Sequence, residues 1–495
     1  MQNKKEFISF VIFVLALLGF ADSVYLTYEH FAGVLPPCGT NPLIDCGQVL
    51  TSKYSVFFGI PLALVGAIHY LAESFCAFKS AFSRSNTYRL TLIGLSCVGF
   101  LVSLYLLYIM IFVIGAICLY CLISALISIL LFFLINLRYE SARKHATAIM
   151  FEALYVYLLK PVLFLIDPET VHVFFLELGG LMGKSRLVKK FLRFLFVDGS
   201  FKKTNLAGIR FPSPIGLAAG FDYEAKLTQI LPSLGFGFMS VGTVTNMPYE
   251  GNKKPRLGRL PKSKSLMVNK GFKSPGADEI IKRLEGKKFE IPVGISIGRT
   301  NSDKLNQKES IEDIVEAFKK FEKSGVKHSY YELNISCPNL KGDVSFYPDI
   351  RKLAQLLAAV DGIKIKKPVF IKMPIDITNK QAEKMLEAIA TSKVKGLIFG
   401  NLQKDRKDKS LIKEEVGKFS VGNFSGKPTF ARSNELLEFV SKKYANRFVV
   451  IGCGGVFDAK DAQAKFQSGA QLVQLITGMI FKGPQLVSRI NFEMK

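Results

Sequence analysis

Two pairs of cysteines stand close together early in the chain: Cys38 with Cys46, and Cys118 with Cys121 in Cys118-Leu-Tyr-Cys121. A C-x-x-C closes a small redox ring, and a thiol near a helix N-terminus has a lowered pKa and reacts as thiolate. The first pair is read as lying on a loop, free to swing. Two dithiol pairs on one face suggest a relay: the loop pair takes electrons from an outside protein thiol, and the helix pair passes them to a quinone in the bilayer. The plainer alternatives are a structural disulfide beside a coincidental C-x-x-C, and a zinc site. No nearby His/Cys spacing supplies four closed ligands, and no metal is expected. Cys76 and Cys97 read as packed thiols.

A second constellation lies beyond residue 200. Cys337, in Asn334-Ile335-Ser336-Cys337-Pro338-Asn339, is a candidate base that takes a proton from a carbon next to a carbonyl while hydride leaves the neighbouring carbon. The alternative, a buried inert thiol, suits Cys453 better. Lys372 would stabilise the negative charge of a reduced flavin. Asn269, Asn334, Asn339 and Asn401 offer paired donors and acceptors to a planar, amide-rich ring. Ala218-Ala219-Gly220 allows close backbone approach to a flat ligand, with Gly242-Thr243 nearby. Gly454-Gly455 and Thr477-Gly478 supply the glycines and hydroxyl of a phosphate cradle. FMN answers all of these features.

The elements that must position these residues differ between the two ends of the chain. Four apolar stretches, 7–27, 56–78, 90–111 and 114–137, are each near the length a bilayer demands. A cleavable signal peptide is the other reading of the first, but no small-residue cleavage site follows it. The last two nearly merge, so their turn must be tight. Lys4 and Lys5 precede the first span, Lys79, Arg84 and Arg89 lie between the second and third, and Arg138, Arg143 and Lys144 follow the fourth. By the positive-inside rule both ends of this four-helix module face the cytoplasm and both cysteine pairs face outward. Residues 138–150 are a polar, basic join. Short amphipathic helices through about 197 follow, suited to a membrane surface or to capping the next domain.

From residue 206 apolar strands alternate with amphipathic helical stretches. The strands are 214–220, 236–244, 292–298, 330–336, 368–374, 396–401, 448–454 and 472–478. Eight β/α units predict an α/β TIM barrel, with active residues at the C-terminal strand ends. The domains expected are 1–140, a transmembrane thiol-oxidoreductase bundle; 141–200, linker and docking helices; and 201–495, an FMN-binding barrel.

Charge follows the same division. Residues 1–145 hold nine Lys/Arg and six Asp/Glu; of the chain's 65 basic and 40 acidic residues, 56 and 34 lie beyond, a net of +22. A basic domain tethered to a membrane sits favourably against anionic headgroups. No basic run interleaved with aromatics marks a nucleic-acid site, and none is expected.

Residues 5–138 resemble the bacterial form of the vitamin K epoxide reductase family. The resemblance rests on Cys38, Cys46, Ser52, the run Phe58-Gly59-Ile60-Pro61-Leu62, and Cys118/Cys121. It implies that Cys38/Cys46 is the shuttle pair, that Cys118/Cys121 faces the quinone, and that Ser52 lies near it. Relatives often carry a fused thioredoxin-like domain; here a separate extracytoplasmic thioredoxin-like thiol oxidase is the implied partner.

Residues 150–495 resemble dihydroorotate dehydrogenase. The resemblance is carried by Asp167-Pro168-Glu169-Thr170-Val171-His172, Gly216 through Asp222, Gly242 through Thr245, Lys254 through Leu257, Asn334 through Asn339, Phe424 through Pro428, and Phe481 through Pro484. The first and last resemble the membrane-associated, quinone-using class. The resemblance implies FMN at Ala219, Gly220, Thr243, Asn334, Lys372, Gly426, Gly455, Thr477 and Gly478, orotate at Asn269, Asn334, Asn339 and Asn401, and the base at Cys337. Three departures from the pattern stand out. The base is cysteine, as in the soluble class. Tyr223 stands where a substrate-contacting lysine is expected, with Lys226 three residues on. Gly400 and Leu402 replace the hydroxyl residues flanking Asn401.

The expectation is therefore a bifunctional quinone reductase, multi-pass in the bacterial cytoplasmic membrane, with the barrel on the cytoplasmic side. The barrel oxidises dihydroorotate to orotate for pyrimidine synthesis, and the bundle oxidises protein dithiols. Both use ubiquinone or menaquinone. The alternatives are an FMN barrel with another substrate and a non-catalytic flavin module tethered to a thiol oxidase.

Overall fold

The computed structural model describes residues 2–38, 44–82, 86–342, 344–444 and 447–494, with side chains from residue 6 onward. Arg84 and the side chains of Lys4 and Lys5, used above for orientation, lie outside the described residues. The chain divides into two compact units, Met1–Ala146 and Thr147–Lys495.

The first unit is a bundle of four long helices: α1 (Gln2–Ala32), α2 (Leu62–Phe82), α3 (Asn86–Tyr108) and α4 (Leu119–Arg138). α3 runs on as a π-helical segment, Ile109–Ile114, that ends at Gly115 with φ 76°. Close helix approach rests on small residues. A side chain at Gly19 would collide with the Tyr70 ring, and one at Gly99 with His69. The second span begins later than the expected residue 56. Val56–Phe57 and Ile60–Pro61 pair as a small antiparallel hairpin, with Gly59 at φ 81° in its turn. A glycine in the left-handed region followed by a proline reverses the chain before α2 begins.

Residues 138–150, expected as a polar join, are helical apart from a turn at Tyr139. Helix α5 covers Glu140–Leu165, with a π-helical segment at Tyr155–Leu159. Glu140 lies four residues before Lys144 and pairs with it, so charges that suggest a loop support the first turns of a helix. Among the described residues, five helices are long and apolar enough to cross a membrane, α5 being the fifth. Within the second unit, however, α5 is tied down by polar groups. Glu152 is buried and paired with Arg489 at 2.8 Å and Lys482 at 3.2 Å, and the Tyr155 hydroxyl donates to the Ile480 carbonyl at 2.7 Å. Helices α6 (Pro168–Lys184) and α7 (Arg186–Phe196) follow, each with a side-chain N-cap, Asp167 and Ser185.

The second unit is a closed parallel barrel of eight strands: β1 (Ile215–Leu217), β2 (Phe238–Val244), β3 (Val293–Ile297), β4 (Tyr330–Asn334), β5 (Val369–Met373), β6 (Gly396–Phe399), β7 (Val449–Cys453) and β8 (Leu472–Leu475). Each strand is paired with its sequence neighbours, and β8 pairs with β1. The strands are buried throughout, which is why they read as apolar runs rather than alternating patterns. Phe238, Tyr330, Phe370, Ile451 and Leu472 fill the interior near the strand starts. Phe211, from the hairpin Thr204–Leu206/Ile209–Phe211, packs with them. The N-terminal end is therefore plugged, and a ligand can enter only at the opposite end. There a three-stranded antiparallel sheet (Leu257–Leu260, Ser265–Val268, Asn423–Phe424) stands over the strand ends.

Candidate functional site

A cavity of about 540 Å³ opens at the C-terminal strand ends. Its walls bring together Ala219, Gly220, Thr243, Asn334, Cys337, Asn339, Lys372, Asn401, Gly426, Gly455, Thr477 and Gly478, which are all the barrel residues singled out from sequence except Asn269. They lie within or just after seven of the eight barrel strands, with Gly426 after the Asn423–Phe424 strand, so only the closed barrel makes them neighbours.

The polar side chains are preorganised by one another. Asn334 Nδ2 donates to Thr243 Oγ1 at 2.8 Å, while its Oδ1 accepts from the Ser336 hydroxyl at 3.0 Å. Asn401 Nδ2 donates to Ser336, both to its carbonyl and to its hydroxyl oxygen. Asn339 Nδ2 donates to the Val268 carbonyl at 3.0 Å, and its Oδ1 accepts from Asn423 at 2.7 Å. These bonds fix amide orientations at the cavity wall. Lys372 is buried, with Nζ 3.7 Å from Oε1 of the wholly buried Glu332, whose other oxygen has no hydrogen-bond partner among the described residues.

Cys337 lines the same wall. Burial pushes its thiol up to about 11, opposed by the Asn339 backbone N–H and by the cations Lys372, Arg299 and Lys404. Its proton affinity is thus set by competition between desolvation and nearby positive charge, as a base requires.

Asn269 is directed elsewhere. Its amide nitrogen faces the Lys253 and Pro255 carbonyls at 3.4 and 3.5 Å, and its Oδ1 accepts from Asn252. It braces the 252–256 turn and does not line the cavity. Lys226 is likewise turned away, paired with Glu177 and Glu224. A different cation stands beside Tyr223: Lys270 Nζ sits 4.5 Å over the Tyr223 ring and 2.8 Å from His172 Nδ1. His172 and Lys270, both on the cavity wall, were not singled out as site residues from sequence. They are separated by about a hundred positions, and nothing in the spacing marks them as partners.

One side of the cavity is apolar, walled by Phe151, Leu163, Phe164, Phe175, Met182 and Leu192 of α5–α7. The outward faces of the same helices expose Tyr157, Leu158, Leu165, Leu181, Leu187 and Phe191, with Leu165 88% and Leu187 81% exposed. An apolar passage lined by helices whose other face is also apolar suits a lipid-soluble reactant.

In the bundle, Cys38 and Cys46 are joined by a disulfide, while Cys118 and Cys121 are free thiols. The Cys46 segment is laid beside the start of α4 by an Ile44–Ile117 bridge and by the Asp45 N–H donating to the Ile117 carbonyl at 3.1 Å. All four cysteines belong to one packed cluster with Val49, Met110 and Ala116. Cys118 caps α4, its sulfur accepting from the Cys121 N–H at 3.4 Å. A separate cavity of about 820 Å³ reaches this point and is lined by Ser52 and Cys121 together. The two dithiols and the expected quinone-side serine are thus grouped.

Comparison with known proteins matches both parts. Residues 201–495 match the family described as dihydroorotate dehydrogenase, and residues 10–136 the vitamin K epoxide reductase family. A dihydroorotate dehydrogenase (quinone) of Christiangramia forsetii is 35% identical over 343 residues, 68% of this chain and 98% of that protein. One from Chloroflexus aurantiacus is 33% identical over 352 residues, 68% of this chain and 95% of that protein. Among solved structures, the ligand-free DHODH of Eimeria tenella is similar with a TM-score of 0.55 and 26% identity, covering 62% of this chain and 93% of that one.

Proposed function

The chain belongs to the dihydroorotate dehydrogenase family, fused to a domain of the vitamin K epoxide reductase family, and from that premise we propose that it reduces quinone by two separate routes. In the barrel, dihydroorotate is oxidised to orotate with FMN as the resident cofactor. The observation that carries this reading is the single cavity that gathers Cys337, the asparagines, Lys372 and the glycine cradle, and that continues into an apolar passage.

The residues fit FMN. At Gly220 a side chain would meet no protein atom nearer than 3.8 Å, so the space left by its missing side chain belongs to the cavity. Gly426, at φ 80°, would drive a side chain into the Lys264 carbonyl, and Gly455, at φ 74°, into Phe430. Backbone at these points can approach a phosphate closely only as glycine. Lys372 would face the ring where negative charge develops. When bound, FMN supplies the hydride acceptor and passes two electrons on. Cys337 takes the proton, Asn334, Asn339 and Asn401 hold the substrate ring, and the α5–α7 passage admits quinone while keeping water out.

A second substrate reading is favoured by one observation: Tyr223 stands where the family pattern places a lysine. Lys270, with its ammonium over the Tyr223 ring, keeps a cation at that corner and supports dihydroorotate.

In the bundle, Cys38/Cys46 draws electrons from an extracytoplasmic thioredoxin-like protein and Cys118/Cys121 passes them to quinone. The common cluster of the four cysteines supports this. The unit lies in a bilayer with the cysteines on the outer side and the barrel inside, as the basic residues Lys79, Arg89, Arg138, Arg143 and Lys144 favour. The test is anaerobic mixing of detergent-solubilised protein with dihydroorotate while following flavin absorbance, then adding quinone. Bleaching and quinone-driven recovery support the barrel reading; a bound flavin that stays oxidised rejects the substrate.

A further inference from the structure

Beside the bundle's cavity lies a buried acid that the cysteine relay does not use. Glu73, on α2, is 1% exposed and faces neighbouring helices. Its Oε1 lies 3.6 Å from Nε2 of His69, one helical turn away, and its Oε2 has no hydrogen-bond partner among the described residues. A carboxylate at mid-span is expensive in hydrocarbon and is retained for function more often than for packing. His69 lines the cavity together with Cys121, Ser52, Ser124 and Ser128. Its Nε2 edge is sealed against Gly99, where a Cβ would come within 2.7 Å of that nitrogen. The ring nitrogen left for a ligand is therefore Nδ1.

Other ionisable groups on this wall are placed differently. Glu29 and His30 belong to the last turn of α1, and Lys53 and Tyr54 to the loop before α2. Tyr70 is occupied, its hydroxyl bonded to the Ser124 carbonyl and to Ser128 Oγ, both at 2.8 Å. His69 sits seven residues after Leu62, about 10 Å along α2 from its start.

We propose that His69, backed by Glu73, binds a carbonyl oxygen of the quinone reduced by Cys118/Cys121 and gives it a proton. This rests on the thiol-to-quinone reading of the bundle. The chemistry balances within the cavity. As the two S–H bonds of Cys118 and Cys121 break and their S–S bond forms, two electrons pass to the quinone. One oxygen takes a thiol proton directly. The other takes the proton of His69 Nδ1, and the second thiol proton returns to Nδ1. Glu73 acts as a positioning residue: its Oε1, 3.6 Å from Nε2, faces that edge of the ring and sets its orientation.

The test uses the full chain in detergent, with dithiothreitol as donor and ubiquinone-1 as acceptor. The barrel's dihydroorotate-to-ubiquinone-1 rate in the same sample serves as the internal control. His69→Gln should lower kcat for thiol oxidation on the order of a hundredfold, and Glu73→Gln about tenfold. Glu73→Asp should restore part of the loss, and the solvent deuterium isotope effect should grow in Glu73→Gln. The barrel rate should stay unchanged in all three. Wild-type thiol rates in both His69→Gln and Glu73→Gln overturn the proposal. If His69→Gln does not fold, Gly99→Ala decides instead: it presses on the ring and should raise KM for ubiquinone-1, and an unchanged KM overturns the proposal. Absence of thiol–quinone turnover in the unaltered chain would remove the underlying reading, and this inference with it.

Discussion

Lys270 Nζ lies 2.8 Å from Nδ1 of His172, whose Nε2 donates to the Phe221 carbonyl at 2.8 Å. Burial and the adjacent Lys270 push His172 down to about 3, so the ring is neutral and can accept from the ammonium. Burial pushes Lys270 itself down to about 7. The pair is thus a hydrogen-bonded cation that discharges near neutrality.

That shift has a sign for stability. Because the folded pKa lies below the unfolded value of 10.5, the unfolded chain binds more protons between pH 7 and 10.5, and stability rises with pH through that window. In Lys270→Met the contribution is absent. Denaturant titrations of the two proteins should show the wild type gaining on the variant from pH 7 to pH 10. Parallel curves would mean that Lys270 is not desolvated.

The Cys337 thiol, pushed up to about 11, is mostly protonated at neutral pH. If it is the base, the rate of flavin reduction by dihydroorotate should climb with pH, approaching tenfold per unit well below 11. Cys337→Ala should lose on the order of a hundredfold or more, and Cys337→Ser should keep part of the rate. An alanine variant with wild-type reduction kinetics takes Cys337 out of the reaction.

Lys372 is the only cation paired with the buried Glu332 among the described residues. Lys372→Met strands that carboxylate, which should destabilise the barrel by about 3–5 kcal/mol and reduce retained flavin. Calorimetry together with the 450 nm absorbance of purified protein reads both. A fully loaded, equally stable variant would contradict the assignment.

Cys121→Ala should abolish thiol-dependent quinone reduction and leave dihydroorotate turnover intact. The two assays on one preparation check this directly. Loss of both activities would show that the halves depend on one another.

Much of the barrel is visible in the sequence because each strand is buried on both faces and bounded by polar residues. Tyr330–Asn334, for instance, lies within the expected 330–336, and Val369–Met373 within 368–374. Its site was legible for the same reason: glycines and asparagines at the strand ends interrupt apolar runs. The start of α5 was not. Glu140, Arg143 and Lys144 look like a solvated join, and only the three-dimensional placement of Lys144, which is buried, shows otherwise. Asn269 reads from sequence as a substrate contact, whereas its side chain bonds within the 252–256 turn, because an amide satisfies a backbone turn as readily as a ligand. The Lys270–His172 pair joins α6 to the segment after Ser265–Val268, a proximity created by folding alone.

The apolar passage walled by α5–α7 has a pharmacological corollary. A competitor of the acceptor quinone would reach the barrel from the lipid phase, whereas a competitor of the pyrimidine would come from buffer. Inhibition by the first class should therefore scale with its mole fraction in detergent or lipid, so that adding empty micelles weakens it at constant total concentration. Inhibition by the second should be indifferent to such dilution.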